Sequence, residues 1–161
     1  MEIRIRQAGP EELDTLMRWR MEVLREVFAV PAEQQMDELA RANRLYYQTA
    51  LETGGHIACF ACRGAEIVGC GGICLYQEMP SPENPTGQCA YLMNIYTRRP
   101  FRKLGVGEKT VRWLVEQASR RGITKIFLET SDAGRALYRK TGFSPMQDYM
   151  KLENDGLYQS E

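Results

Sequence analysis

The stretch from Ala90 to Glu129 constrains the fold more than any other part of the chain. Ala90-Tyr91-Leu92-Met93-Asn94-Ile95-Tyr96-Thr97 reads as a strand. A basic run follows, Arg98-Arg99-Pro100-Phe101-Arg102-Lys103, and then Leu104-Gly105-Val106-Gly107. A helix comes next, with Val111, Leu114, Val115 and Ala118 at i, i+3, i+4 and i+7. Arg120-Arg121-Gly122 closes it, with cations at the negative end of the dipole and glycine as the cap. Ile123 to Glu129 is a further strand. A glycine-rich turn therefore joins a strand to a helix N-terminus. Glycines let the backbone approach a ligand closely, and the first-turn N–H groups have no helical partner, so such a turn can hold a diphosphate. Arg102 and Lys103 add positive charge there; in the alternative reading the glycines only shape a turn and the basic residues are solvated. The spacing is neither G-x-x-x-x-G-K-[ST] nor G-x-G-x-x-G, because Gly105-Val106-Gly107 runs on into Glu108-Lys109-Thr110.

The N-terminal half reads as a strand, two helices and a hairpin. Ile3 and Ile5 alternate with Arg4 and Arg6. Gly9-Pro10-Glu11-Glu12 starts a helix, since proline suits the first turn and acids suit the positive dipole end. Leu13, Leu16, Met17, Met21, Leu24 and Phe28 carry its apolar face up to Pro31. A more polar helix is expected over Ala32 to Leu51, ended by Thr53-Gly54-Gly55. His56 to Arg63 and Glu66 to Tyr76 form a hairpin about Gly64-Ala65. Glu78 to Gly87, rich in proline, is a loop.

Composition narrows the function. Lys plus Arg and Asp plus Glu both number 21, so there is no basic excess of the kind that phosphate-backbone binding needs, and no nucleic-acid partner is expected. No apolar run reaches the roughly 20 residues of a bilayer span. The alternating N-terminus has no signal segment, so no membrane partner and a cytoplasmic location are expected. Of the five cysteines, Cys59 and Cys62 form C-x-x-C, with Cys70 and Cys74 behind them. On one strand Cys59 and Cys62 point to opposite faces, and Phe60-Ala61 is a poor knuckle turn, so buried reduced thiols are expected rather than a metal site. A hairpin symmetric about Gly64-Ala65 puts Cys59 across from Cys70. The only histidine, His56, cannot support a multi-histidine site.

Arg102-Lys103-Leu104-Gly105-Val106-Gly107 matches the R/Q-x-x-G-x-G/A signature of the GNAT acyltransferases. Downstream, Gly134-Arg135-Ala136-Leu137-Tyr138-Arg139-Lys140-Thr141-Gly142-Phe143 resembles that family's A-x-x-L-Y-x-K-x-G-F element, with Gly134 in the alanine position. The two stand in the family's order, separated by a helix and a strand, and the chain is identified as a small, single-domain, bacterial-type member over residues 1–161. The resemblance implies an α/β (α+β) fold: a mixed, strongly twisted central sheet flanked by helices, whose splayed central strands admit acetyl-CoA. It implies that Arg102, Lys103, Leu104, Gly105, Val106 and Gly107 hold the CoA diphosphate. The main chain of Ile95, Tyr96 and Thr97 would pair with the pantetheine arm as an added strand does. Tyr138 would stand near the thioester sulfur. Ser131 occupies a position where many members have asparagine, so its contact with the cofactor has a shorter reach. No metal is implied, and a homodimer is compatible with the resemblance.

The implied reaction is direct acetyl transfer to a primary amine through a tetrahedral intermediate. A lysine-like amine is neutral to roughly one part in a thousand at pH 7, which costs about 4 kcal/mol. The site must remove that proton, place an N–H near the oxyanion and protonate the departing thiolate. A phenol such as Tyr138 can do the last; in the alternative it is a packing aromatic. The general base is open among Glu78, Glu83, Glu129, and Tyr91 with a bound water. Glu33, Asp37, Glu38, Glu78 and Glu83 around the expected acceptor pocket would suit a small cationic molecule. The alternative function is a non-catalytic acyl-CoA-binding sensor or interaction module, which a thiol-release assay separates from an enzyme.

Overall fold

The structure, a computed structural model, describes residues 2–153. Five strands lie in the order of the chain: β1 Arg4–Ala8, β2 His56–Arg63, β3 Glu66–Gln77, β4 Gln88–Thr97 and β5 Lys125–Leu128. The first four are antiparallel neighbours, and β5 joins β4 in parallel. The sheet is therefore mixed, as expected. The helix between β4 and β5 makes the parallel pair, since parallel strands need a crossover.

Two helical layers cover the sheet. On one face lie α1, Leu13–Val27, and α2, Asp37–Thr53. Leu16, Met17, Trp19 and Val23 of α1 pack there with Tyr47 of α2 and with Phe60, Cys70 and Tyr96 of the sheet. The other face carries α3, Val106–Arg120, and α4, Arg135–Lys140. Val111, Leu114 and Ala118 of α3 pack there on Ile57, Cys59, Ile73 and Leu92. Alternate residues of β2 thus serve opposite cores, and its burial on both faces explains its nearly unbroken apolar sequence. Gly71 lets α3 settle onto β3. A Cβ there would stand 2.7 Å from Thr110 Cγ2 and 3.0 Å from Leu114 Cδ1.

Two expectations are corrected. Helix α2 begins at Asp37 rather than Ala32. Arg25 of α1 donates to the carbonyls of Pro31 and Gln34, which fastens the intervening chain as a turn. The hairpin is not symmetric either. Arg63 faces Glu66 and Cys62 faces Ile67, but Ala61 faces Gly69, so Val68 is an extra residue on β3. This bulge slips the register by one and sets Cys59 opposite Gly71 and Phe60 opposite Cys70. Cys59 and Cys70 therefore lie in different cores, on opposite faces of the sheet. Burial pushes the Cys59 thiol well up and Cys70 up to about 12.

Candidate active site

The parallel pairing of β4 and β5 runs from Cys89–Lys125 to Leu92–Leu128 and stops, while β4 continues to Thr97. From Met93 onward the outer edge of β4 has no strand partner among the described residues. A second bulge marks the same place. Cys70 faces Tyr96 and Gly72 faces Met93, so Asn94 and Ile95 stand against Gly71 alone. Asn94 takes a left-handed φ of 59°, which asparagine tolerates better than most residues. Its side chain is fastened from α1, where Arg20 Nη1 donates to Asn94 Oδ1 at 3.0 Å. Ile95, Tyr96 and Thr97, the residues expected to meet a pantetheine arm, follow directly on this open edge.

The turn beyond β4 is tied to α1. Arg98 donates twice to Glu22, at 2.9 and 2.8 Å, and its guanidinium lies 4.2 Å from the Trp19 ring centroid. The Tyr96 phenol donates to Glu26 at 2.6 Å, and Arg102 Nη2 donates to the same carboxylate at 2.6 Å. These bonds, Tyr96 foremost, hold the Glu26 carboxyl down at about 2. Arg102 Nε donates to the Thr97 carbonyl at 2.8 Å, so this guanidinium braces the turn rather than projecting from it. Lys103 and Gly105 have φ of 63° and 78°, and Gly105 caps α3. No atom lies within 4 Å of where Gly105 would carry a Cβ, so its backbone faces open space. Val106 is buried and roots the helix, while the first-turn N–H groups of α3 have no intrahelical acceptor.

The downstream motif packs onto the upstream one. A Cβ at Gly107 would stand 3.2 Å from Leu137 of α4, and Glu108 pairs with Lys140. Gly134 has a steric reason: a Cβ would meet Thr130 Oγ1 at 2.3 Å and Tyr138 Cε2 at 3.3 Å. Ser131 is exposed at the start of this turn, with its carbonyl accepting from Gly134 N–H at 3.1 Å. Tyr138 is half-buried and meets Phe143 edge-on at 5.9 Å. Burial raises its phenol, and Tyr91 raises it further. Tyr91 comes from β4, leans on Phe127 at 5.2 Å and is itself raised by burial and then by the neighbouring Glu129 carboxylate. Tyr138 and Glu129 line one cavity of about 960 Å³ along β5. Two phenols and a carboxylate thus gather where β4 and β5 part.

The other candidate bases are placed differently. Glu78 is ion-paired with Lys125 at 2.8 Å, which holds its carboxyl below the usual range. Glu83 is exposed in the loop, and Glu33, Asp37 and Glu38 are exposed at or before the start of α2. Sequence reasoning missed Arg20, Asn94 and the Glu22–Glu26 brace. The one available signal was an asparagine inside an otherwise apolar and aromatic strand.

A model of the acetyltransferase (GNAT) family matches residues 13–143. No curated protein sequence matches the chain. Among solved structures, a predicted acetyltransferase from Clostridium acetobutylicum with acetyl-CoA is 24% identical, with a TM-score of 0.82 over 95% of this chain and 97% of that one. Glucosamine-6-phosphate N-acetyltransferase from Arabidopsis thaliana is 18% identical, with a TM-score of 0.70 over 96% of this chain and 100% of that one. AAC(6')-Iy, bound to the bisubstrate analogue CoA-S-monomethyl-acetylneamine, is 14% identical, with a TM-score of 0.72 over 95% of this chain and 98% of that one. At these identities the likeness is one of fold.

Proposed function

The chain belongs to the acetyltransferase (GNAT) family, and from that premise we propose that it transfers acetyl from acetyl-CoA to the primary amine of a small molecule that is cationic in water. We take residues 1–161 as one such domain, working in the cytoplasm. The observation that carries this reading is the open edge of β4, which lies between a glycine turn at a helix N-terminus and a half-buried phenol on α4. Acetyl-CoA with one neighbour and a CoA-based bisubstrate analogue with another support the choice of co-substrate and of an amine acceptor.

In this reading the N–H groups from Lys103 to Gly107 hold the diphosphate, and the free backbone at Gly105 admits it closely. Arg102 acts by bracing the turn through Glu26 and Thr97 as well as by its charge. The main chain of Ile95, Tyr96 and Thr97 takes the pantetheine arm along the unpaired edge, and Ser131 offers a hydroxyl at the mouth. The ammonium first gives a proton to water. The amine attacks the thioester carbonyl, and main-chain N–H groups at the Asn94 bulge face the oxyanion of the tetrahedral intermediate. Tyr138 then protonates the departing thiolate, and the proton lost from the acylated nitrogen passes through water to reload the phenol. The phenol is raised by burial and by Tyr91, so it is fully protonated at neutral pH and carries the proton the thiolate needs. The test is thiol release from acetyl-CoA across a panel of amines, with the product identified by mass. Release that depends on the amine, with an N-acetylated product, is expected; acetyl-CoA binding without any product would identify a binding module instead.

A further inference from the structure

Arg20 is half-buried on the sheet face covered by α1 and α2, and no carboxylate pairs with it among the described residues. Its Nε donates to Asn43 Oδ1 at 2.9 Å and its Nη1 to Asn94 Oδ1 at 3.0 Å. Both acceptors are neutral amides. They orient the guanidinium from two sides without neutralising it. The carboxylates nearest on its own helix are committed elsewhere, Glu22 to Arg98 and Glu26 to Tyr96 and Arg102. A partly buried cation without a counter-charge is costly. A clamp between α1, α2 and β4 needs hydrogen-bond donors but not a permanent charge. Of the five guanidinium N–H groups, these two bonds leave three, one on Nη1 and both on Nη2, in the planar fork that matches a carboxylate or a phosphate.

The position gives the charge its meaning. Arg20 touches Asn94, the bulge residue at which β4 leaves β5, immediately before the open edge of Ile95, Tyr96 and Thr97. Its field is felt around that face: it helps lower His56 and opposes the rise of Tyr46, Tyr47 and Cys70. The acids that would suit a purely cationic guest are ion-paired or exposed. Glu78 is held by Lys125, and Asp37 and Glu38 are exposed at the α2 start.

We propose that Arg20 binds an anionic oxyacid group, carboxylate or phosphate, carried by the acceptor itself, so that the acceptor is an amine that also bears an acid. This rests on the acetyltransferase reading above and changes only its acceptor, from a cationic molecule to a zwitterionic one with a short spacer between amine and acid. The same charge assists the chemistry, because a fixed cation beside the acceptor lowers the pKa of its ammonium and raises the neutral fraction able to attack.

The experiment compares acceptors in matched pairs with acetyl-CoA: β-alanine against β-alaninamide for carboxylate, and phosphoethanolamine against ethanolamine for phosphate. In at least one pair the acid-bearing member should have the higher kcat/KM, by on the order of 10- to 100-fold, the worth of about one charge-assisted hydrogen bond. The pair that responds names the acid. Arg20→Gln should collapse that ratio toward unity through KM, and Arg20→Lys, which keeps the charge and loses the fork, should retain part of it. The wild-type ratio alone keeps the test decisive if Arg20→Gln does not fold. Amines acetylated with no preference for the acid-bearing member would overturn the anion site and leave the acetyltransferase reading standing. Acetylation of no amine at all would overturn both.

Discussion

Lowering the pH from about 8 to about 5.5 is expected to destabilise the protein chiefly through His56, its only histidine. The imidazole is 5% exposed, wedged edge-on against the rings of Tyr46 and Tyr47. Nδ1 shares a 2.8 Å hydrogen bond with the Tyr46 hydroxyl, and Nε2 has no partner among the described residues. Burial, aided by the Arg20 charge, pushes its pKa down to about 4. In the unfolded chain the ring titrates near its ordinary value of about 6.5. Between those values the unfolded chain takes up a proton that the folded chain refuses. The His56 contribution is therefore level above about pH 6.5 and falls as the pH drops toward about 4. By about pH 5.5 the loss amounts to about 1.4 kcal/mol relative to about pH 8. Glu22, Glu26, Glu78 and Glu108 are held below the usual range, and what they contribute is lost only below the unfolded carboxylate value of about 4.3, under this window. Urea unfolding of the wild type and of His56→Gln at the two pH values isolates the effect. The wild type should lose that amount and the variant much less. Equal losses in the two proteins would refute the argument, because the proton would then be taken up elsewhere.

Gly105→Asp should abolish acetyl-CoA binding by calorimetry while the fold survives, because the side chain enters open space at the diphosphate turn; Arg102→Ala should weaken binding less, and wild-type affinity in Gly105→Asp would remove the site from this turn. Tyr138→Phe should lower kcat by roughly 10²–10⁴-fold with acetyl-CoA affinity and Tm little changed, whereas an undiminished kcat under rate-limiting chemistry would end the general-acid role. Gly71→Ala should cost about 1–3 kcal/mol in urea unfolding, since its Cβ would meet Thr110 at 2.7 Å and both Ile95 and Leu114 at 3.0 Å; unchanged stability would mean that α3 can lift from β3 freely.

The sequence carried the elements whose chemistry is local. The span of β2 and the end of α3 follow from composition, alternation and caps, and the two glycine-bearing motifs pointed to the fold family. What it did not carry are features that arise between distant segments. The Val68 bulge shifts β2 against β3 by one residue and separates Cys59 from Cys70, and no local signal around Gly64-Ala65 announces it. The start of α2 depends on Arg25 reaching across to Pro31 and Gln34. At the candidate site, Tyr138 was legible because it sits in a motif. Arg20, Asn94, Glu22 and Glu26 were not, because their roles come from bonds between α1 and the end of β4 that span 70 to 76 residues.

The measurement that bears most directly on the central claim is a steady-state assay of CoA thiol release with acetyl-CoA and the amine panel, run beside mass analysis of the acceptors. Release is expected to saturate with the amine, to stay near background without it and to yield an acceptor carrying one acetyl group on nitrogen. Tight acetyl-CoA binding with no acetylated product from any amine, acid-bearing or not, would contradict it.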